Sequence, residues 1–172
     1  MKKINIPLKQ GEVLKLKAGE EVLLSGTIYT ARDQAHKRLV EAIRKKRTPI
    51  DLKGAIIYYC GPTKTPNGKV IGSCGPTTSS RMDEFTPLIL SRGLKGMIGK
   101  GARSKEVIAA IKKYKAVYFL VYAGCGALIT RYVKKAKQVA YKDLGPEAIY
   151  KLEVKDFPLI VGIDTKGRDI YG

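Results

Sequence analysis

The segment Cys74-Gly75-Pro76-Thr77-Thr78-Ser79-Ser80-Arg81-Met82-Asp83 sets a run of hydroxyls and one guanidinium behind a Gly-Pro break. The break predicts the opening of a helix. Free N–H groups and the positive end of a helix dipole attract anions, and Arg81 adds a planar fork of donors matched to a carboxylate. The chemistry implied is capture of a small organic acid. The alternative is that Thr77, Thr78, Ser79 and Ser80 only cap the helix while Arg81 stands in solvent.

Two more cations follow strand-like stretches: Arg32 after Tyr29-Thr30-Ala31, and Lys100 in Gly99-Lys100-Gly101. A dicarboxylate needs several cationic donors, and loops beyond strand ends in an α/β sheet are where ligands sit. Lys100 alone would be a solvated lysine, but glycine on both sides permits close approach. The phosphate-loop pattern is not matched. His36 lies one helical turn after Arg32 and could share its face; a packed or surface histidine is the competing reading. No Gly-x-Ser-x-Gly elbow is present, Ser79 has no base in view, and no carboxylate pair suggests hydrolysis. Cys60, Cys74 and Cys125 form no C-x-x-C pair, and His36 is the single histidine, so spacing argues against a metal or iron–sulfur cluster held within this chain. Free thiols in a reducing compartment are expected.

These residues need elements to place them. Glu12–Lys17 partly alternates, Glu20–Leu24 follows a Gly turn, and Gly26–Thr30 is rich in β-branched and aromatic residues, so the N-terminal part reads as hairpins. A helix is predicted from about Arg32 to Lys46, limited by Pro49. Ala55–Cys60 and Ala116–Tyr122 read as buried strands, and Pro66-Asn67-Gly68 as a tight turn. Met82–Leu90 is apolar enough for a helix that Pro87 either kinks or starts. Gly93–Gly101 reads as a Gly-rich loop, after which Ser104 caps a helix reaching Lys113. Ala123–Ala127 is a small-residue turn leading to a helical stretch from about Leu128 to Ala136. Ala148–Val154 and Leu159–Ile163 are closing strands. The class is α/β with a mixed sheet.

The 172 residues suit one domain, and 44% hydrophobic residues suffice for a core. No apolar run approaches the ~20 residues of a membrane span, and the opening residues lack a signal peptide's apolar region, so a cytoplasmic, non-membrane protein is expected. The net charge of +18 fits nucleic acid, acidic small molecules or an acidic partner chain. Its basic groups, such as Arg44–Arg47 and Lys134-Lys135, are scattered, and no nucleic-acid-binding motif accompanies them.

Three ordered stretches, Gly26–Leu39, Gly75–Asp83 and Gly96–Gly101, together with Gly145–Ile149 and Phe157–Asp164, resemble the β subunit, or C-terminal domain, of class I iron–sulfur fumarases. That family includes the β subunit of L(+)-tartrate dehydratase. The resemblance covers most of the chain and implies one domain over 1–172 of swivelling β/β/α type. It implies a separate fumarate hydratase α subunit that ligates a [4Fe–4S] cluster, whose open iron acts as a Lewis acid in reversible hydration of fumarate, a tricarboxylic acid cycle step. Carried over by motif, Thr77 would be, or stand near, the general base, while Arg32, Arg81 and Lys100 hold the carboxylates. His36, Thr78 and Ser79 are further candidates beside them. The implied assembly is a heterotetramer, or a homodimer of this chain in isolation. L(+)-tartrate is the nearest alternative substrate, and a basic nucleic-acid-binding module the remote alternative; the main reading expects no nucleic acid. Excess charge would complement an acidic partner and draw dianions inward.

Overall fold

Four parallel strands carry the molecule: β2 (Glu21–Thr30), β3 (Ile56–Tyr58), β4 (Gly96–Gly99) and β5 (Val117–Leu120) in the computed structural model, which describes residues 1–121 and 126–172. The long β7 (Ile149–Ile163) pairs antiparallel with β5 on one side and β2 on the other, closing the sheet partly into a barrel. The short β1 (Lys2–Asn5) adds to β2 in parallel, and β6 (Val133–Ala140) adds to β7 antiparallel. The end of the strand expected over Ala116–Tyr122, most of the turn at Ala123–Ala127 and Cys125 lie outside the described residues.

Alternation along each strand makes two cores. Ile28, Ile56, Tyr58, Ile98, Phe119, Leu152 and Val161 point into the barrel, joined by Cys60 and Cys74. Ile57, Tyr59, Met97 and Tyr118 point outward and are covered by α2 (Asp33–Arg44), α3 (Thr86–Ser91) and α4 (Lys105–Tyr114). Helices, parallel sheet and the far wall of β7 and β6 form the three layers of the expected β/β/α arrangement. Burial on both faces is why Ala55–Cys60 and the run from Ala116 read as continuous apolar stretches. On α2, Ala35, His36, Leu39, Val40 and Ile43 keep helical spacing and are buried. Ser104 caps α4 as expected, its Oγ accepting from the Val107 N–H at 3.2 Å. The turn at Pro66–Lys69 closes with a 3.1 Å bond from the Lys69 N–H.

Several local expectations differ from the structure. Glu12–Lys17 is not a strand: α1 (Gln10–Val13) occupies its start, and Val13 and Leu16, three apart, are the buried pair. The N-terminal strands are not hairpins. Glu20–Leu24 and Gly26–Thr30 belong to one strand bent by a bulge between Leu24 and Gly26, paired with β7 from the far end of the chain. Gly26, at φ 126°, lets Ile6 pack against the bend. Gly96–Gly99 is a central strand rather than loop, because Ile56, Ser79 and Tyr59 fill the places where Gly96 and Gly99 lack side chains. The helix expected over Leu128–Ala136 stops early: α5 (Gly126–Ile129) and a 3₁₀ turn lead into β6, an edge strand with lysines outward. Pro87 starts α3 rather than kinking it. Among the described residues no helix is long and apolar enough to cross a membrane.

Candidate functional site

Parallel pairing brings distant residues to one edge. Thr30 pairs with Tyr58, and Tyr58 with Ile98, so Arg32, Cys60 and Lys100 each lie two residues beyond the same row. With strands spaced about 4.8 Å apart, the backbones at Arg32 and Lys100 stand roughly 10 Å from each other. This is the C-terminal edge of the parallel strands, where α/β sheets place ligands.

The segment Gly75–Asp83 lies across that edge. The Thr77 N–H donates to the Tyr59 carbonyl at 2.7 Å, Thr78 bridges to Lys100 in parallel fashion, and the Ser79 N–H donates to the Lys100 carbonyl at 3.0 Å. Thr77 is thereby fixed at the ends of β3 and β4. The helix expected here is only a four-residue 3₁₀ turn, Ser79–Met82, and the N–H groups of Thr77 and Ser79 are already used. A four-residue turn presents no helix dipole to draw an anion here. What the segment offers are side chains.

Those side chains differ in setting. Thr77 is half-buried, Thr78 and Lys100 are exposed, and Ser79 is buried with its Oγ 2.7 Å from the Tyr118 hydroxyl. Arg32 extends across Gly61, where a Cβ would meet its Cδ at 2.8 Å and Nη1 at 2.9 Å. Gly61 is thus a glycine of close approach. Arg81 donates through Nε and Nη2 to Asp33 Oδ2 at 3.1 and 2.9 Å. The Arg32 Nε and Asp33 Oδ1 are buried and make no hydrogen bond, an unmet demand concentrated at this edge. Asp33 was missed in the sequence because an acidic residue in a first helical turn reads as a dipole complement.

His36 turns inward. Its Nδ1 lies 2.8 Å from the Arg32 carbonyl, which can only accept, so Nδ1 carries the proton. The ring packs edge-on to Tyr59 at 5.4 Å and tilted to Phe85 at 5.8 Å. Burial lowers its pKa to about 4 against the opposing bond to the Arg32 carbonyl, leaving the imidazole neutral near pH 7. It braces Arg32 from behind.

Cys60 and Cys74 are buried with their sulfurs 2.6 Å apart, and burial pushes the Cys60 thiol up. Among the described residues no group of three His, Cys, Asp or Glu side chains is placed to hold a metal ion.

Residues 1–172 match the family described as Fumarase C-terminus. A Methanocaldococcus jannaschii protein, provisionally named as the β subunit of an L(+)-tartrate dehydratase, is 41% identical over 95% of this chain and 88% of its own length. The L(+)-tartrate dehydratase β subunit of Escherichia coli K12 is 38% identical, with 99% of this chain and 87% of that subunit aligned. The anaerobic class I fumarate hydratase of Escherichia coli K12 is 39% identical over 98% of this chain but only 32% of its own length. The chain therefore spans most of those β subunits and about a third of that fumarate hydratase.

Proposed function

The chain belongs to the fumarase C-terminus family, and from that premise we propose that it is the β subunit of a two-subunit iron–sulfur fumarate hydratase. The observation that carries the reading is the convergence of Arg32, Thr77 and Lys100 at the C-terminal edge of β2, β3 and β4. Arg32, Arg81 and Lys100 supply the cations that two carboxylates need, and Arg81, exposed where it meets Asp33, can turn its fork to one of them. Thr77 Oγ1 is the group assigned to the carbon that loses or gains a proton. A threonine alkoxide is costly near neutral pH, so the cations around Thr77 must stabilise the anion or the proton must pass onward.

The donors at this edge are cations and hydroxyls, which suit carboxylates and do not suit iron; Cys60 and Cys74 are buried against each other. The residues described here therefore do not fit a [4Fe–4S] cluster, and the reading assigns the cluster to a partner α subunit. When bound there it supplies a Lewis acid for the departing hydroxyl. Thr78 and Lys100 stand exposed at this edge, where another chain can cover them, and the net charge of +18 suits an acidic partner and dianionic substrates. A cytoplasmic setting and an α/β assembly belong to the same reading.

The second reading is the β subunit of L(+)-tartrate dehydratase. It is favoured by length: the tartrate dehydratase relatives align along 87–88% of their own chains, whereas the fumarate hydratase aligns along 32%. The deciding experiment is co-expression with the candidate α subunit, anaerobic reconstitution, and assay on malate, fumarate and L(+)-tartrate. Hydration of fumarate by the complex and none by the chain alone is expected. Activity confined to tartrate selects the second reading, and a cluster-loaded complex inactive on all three overturns both.

A further inference from the structure

Arg103 is an arginine without solvent exposure, its side chain 0% accessible beneath the helix-covered face of the sheet. Nη1 lies 3.7 Å from Met97 Sδ on β4, and the guanidinium's oxygen partners lead back to the site. Nε donates to Asp83 Oδ1 at 2.7 Å, and Nη2 donates to the Tyr59 hydroxyl and to Thr86 Oγ1, each at 3.1 Å. The guanidinium lies between two aromatic rings, 5.2 Å from the centroid of Tyr59 and 4.8 Å from that of Tyr118. Asp83 closes the Thr77–Asp83 segment, and its Oδ2 accepts the Ser104 N–H at 2.8 Å. The Tyr118 hydroxyl is bonded to Ser79 Oγ at 2.7 Å and to the Gly101 carbonyl at 2.8 Å. Tyr59 carries the carbonyl that receives the Thr77 N–H.

A buried ion pair contributes little net stability compared with apolar packing of the same volume. What this one fixes is geometry. Asp83, Tyr59 and Tyr118 come from three separate segments, and each is tied directly to a segment bearing Thr77 or Lys100. We propose that Arg103 is the positioning residue of the site: through Asp83, Tyr59 and Tyr118 it sets Thr77 relative to Lys100 without touching substrate. The inference rests on the hydratase reading for its kinetic consequence, but not for its structural one. A lysine at 103 keeps the charge and loses the planar fork, so it cannot hold Asp83, Tyr59 and Thr86 together.

The test uses Arg103→Lys and Tyr118→Phe in the reconstituted complex, with hydrogen exchange followed in the same samples. Misplacing a reacting group by about 1 Å costs on the order of 10²-fold in rate. Arg103→Lys is therefore expected to lower kcat about that much with KM within about twofold, and Tyr118→Phe, which cuts only the ties to Ser79 and Gly101, to lower it less. The Thr77 and Ser79 amides should exchange faster, while the Gly19 amide, bonded to the Val161 carbonyl at 2.8 Å on β7, should not change. Unchanged kcat with protected Thr77 and Ser79 amides overturns the proposal. So does a raised KM at constant kcat, or equal loosening at Gly19 in both variants. Should the wild-type complex prove inactive, the hydratase reading falls and the exchange comparison still decides the role of Arg103.

Discussion

Two arginine–aspartate pairs flank the same short segment, Arg81–Asp33 at 2.9 Å and Arg103–Asp83 at 2.7 Å, and they differ in exposure rather than in distance. The Arg81 side chain is 48% exposed and its partner 28%, whereas the Arg103 side chain is wholly buried and its partner 13% exposed. An exposed pair costs little to rearrange, so Arg81 can turn its donors toward an incoming carboxylate. A buried pair cannot exchange partners without leaving a charge unpaired in a poor solvent for ions. One arginine is therefore free to move and the other is locked into the frame, and both are tied to the segment that Thr77 begins.

Removing Thr77 tests what that frame serves. In the reconstituted complex Thr77→Ala is expected to lower kcat by about 10² to 10⁴, the range for a general acid or base, with substrate binding nearly unchanged. Steady-state kinetics on malate would decide, and unaltered turnover removes Thr77 from the mechanism. On the buried pair, Asp83→Ala strands the Arg103 charge and frees the Ser104 N–H, so a loss of about 3–5 kcal/mol is expected in urea unfolding. A loss under about 1 kcal/mol would mean that water reaches Arg103 and that the contrast between the pairs is one of degree.

His36 probes the ground between the two pairs. Its pKa is about 4 in the folded chain, lowered mainly by burial, against about 6.5 when unfolded. Between those values the unfolded state binds the extra proton, so stability falls as pH drops from about 6.5 toward 4 and levels off below. The expected loss is about 3 kcal/mol. Chemical unfolding across this window, wild type against His36→Gln, isolates the contribution from that of the carboxylates. A variant with the wild-type slope would show that His36 is solvated and does not brace Arg32.

How far these roles could be read from residues alone varies with the kind of contact. Ala55–Cys60 and the Ser104 cap were legible because local pattern and local partner coincide. Arg32, Arg81 and Lys100 were legible as cations after strand-like stretches, but their common edge depends on the Thr30–Tyr58–Ile98 register, which no window of sequence contains. Gly96 and Gly99 misled because their purpose lies on other elements, at Ile56 and Ser79. The lysines of β6 misled because an edge strand and an exposed helix face tolerate the same residues. Arg103 was invisible. Beside Ser104 it looks like one more surface charge, and only Tyr59, Tyr118 and Asp83, all distant in sequence, bury it.

The exposed pair gives the smallest effects and the finest discrimination. Asp33→Ala should change stability by less than about 1 kcal/mol, since the pair is partly exposed, one bond set is lost and a buried, unpartnered oxygen goes with it. In the complex it should raise KM a few-fold, because Asp33 Oδ2 accepts from both Nε and Nη2 of Arg81 and so holds the guanidinium in place. Arg81→Met removes the donors themselves and should raise KM about 10- to 100-fold, the range for a hydrogen bond to a charged group, with turnover falling as well. The order matters more than either value. If Asp33→Ala raised KM as much as Arg81→Met, the ion pair itself would be the binding determinant. If Asp33→Ala lowered KM, Asp33 would be a competitor for the guanidinium, and the buried Asp33 Oδ1 would mark repulsion that a second carboxylate must overcome.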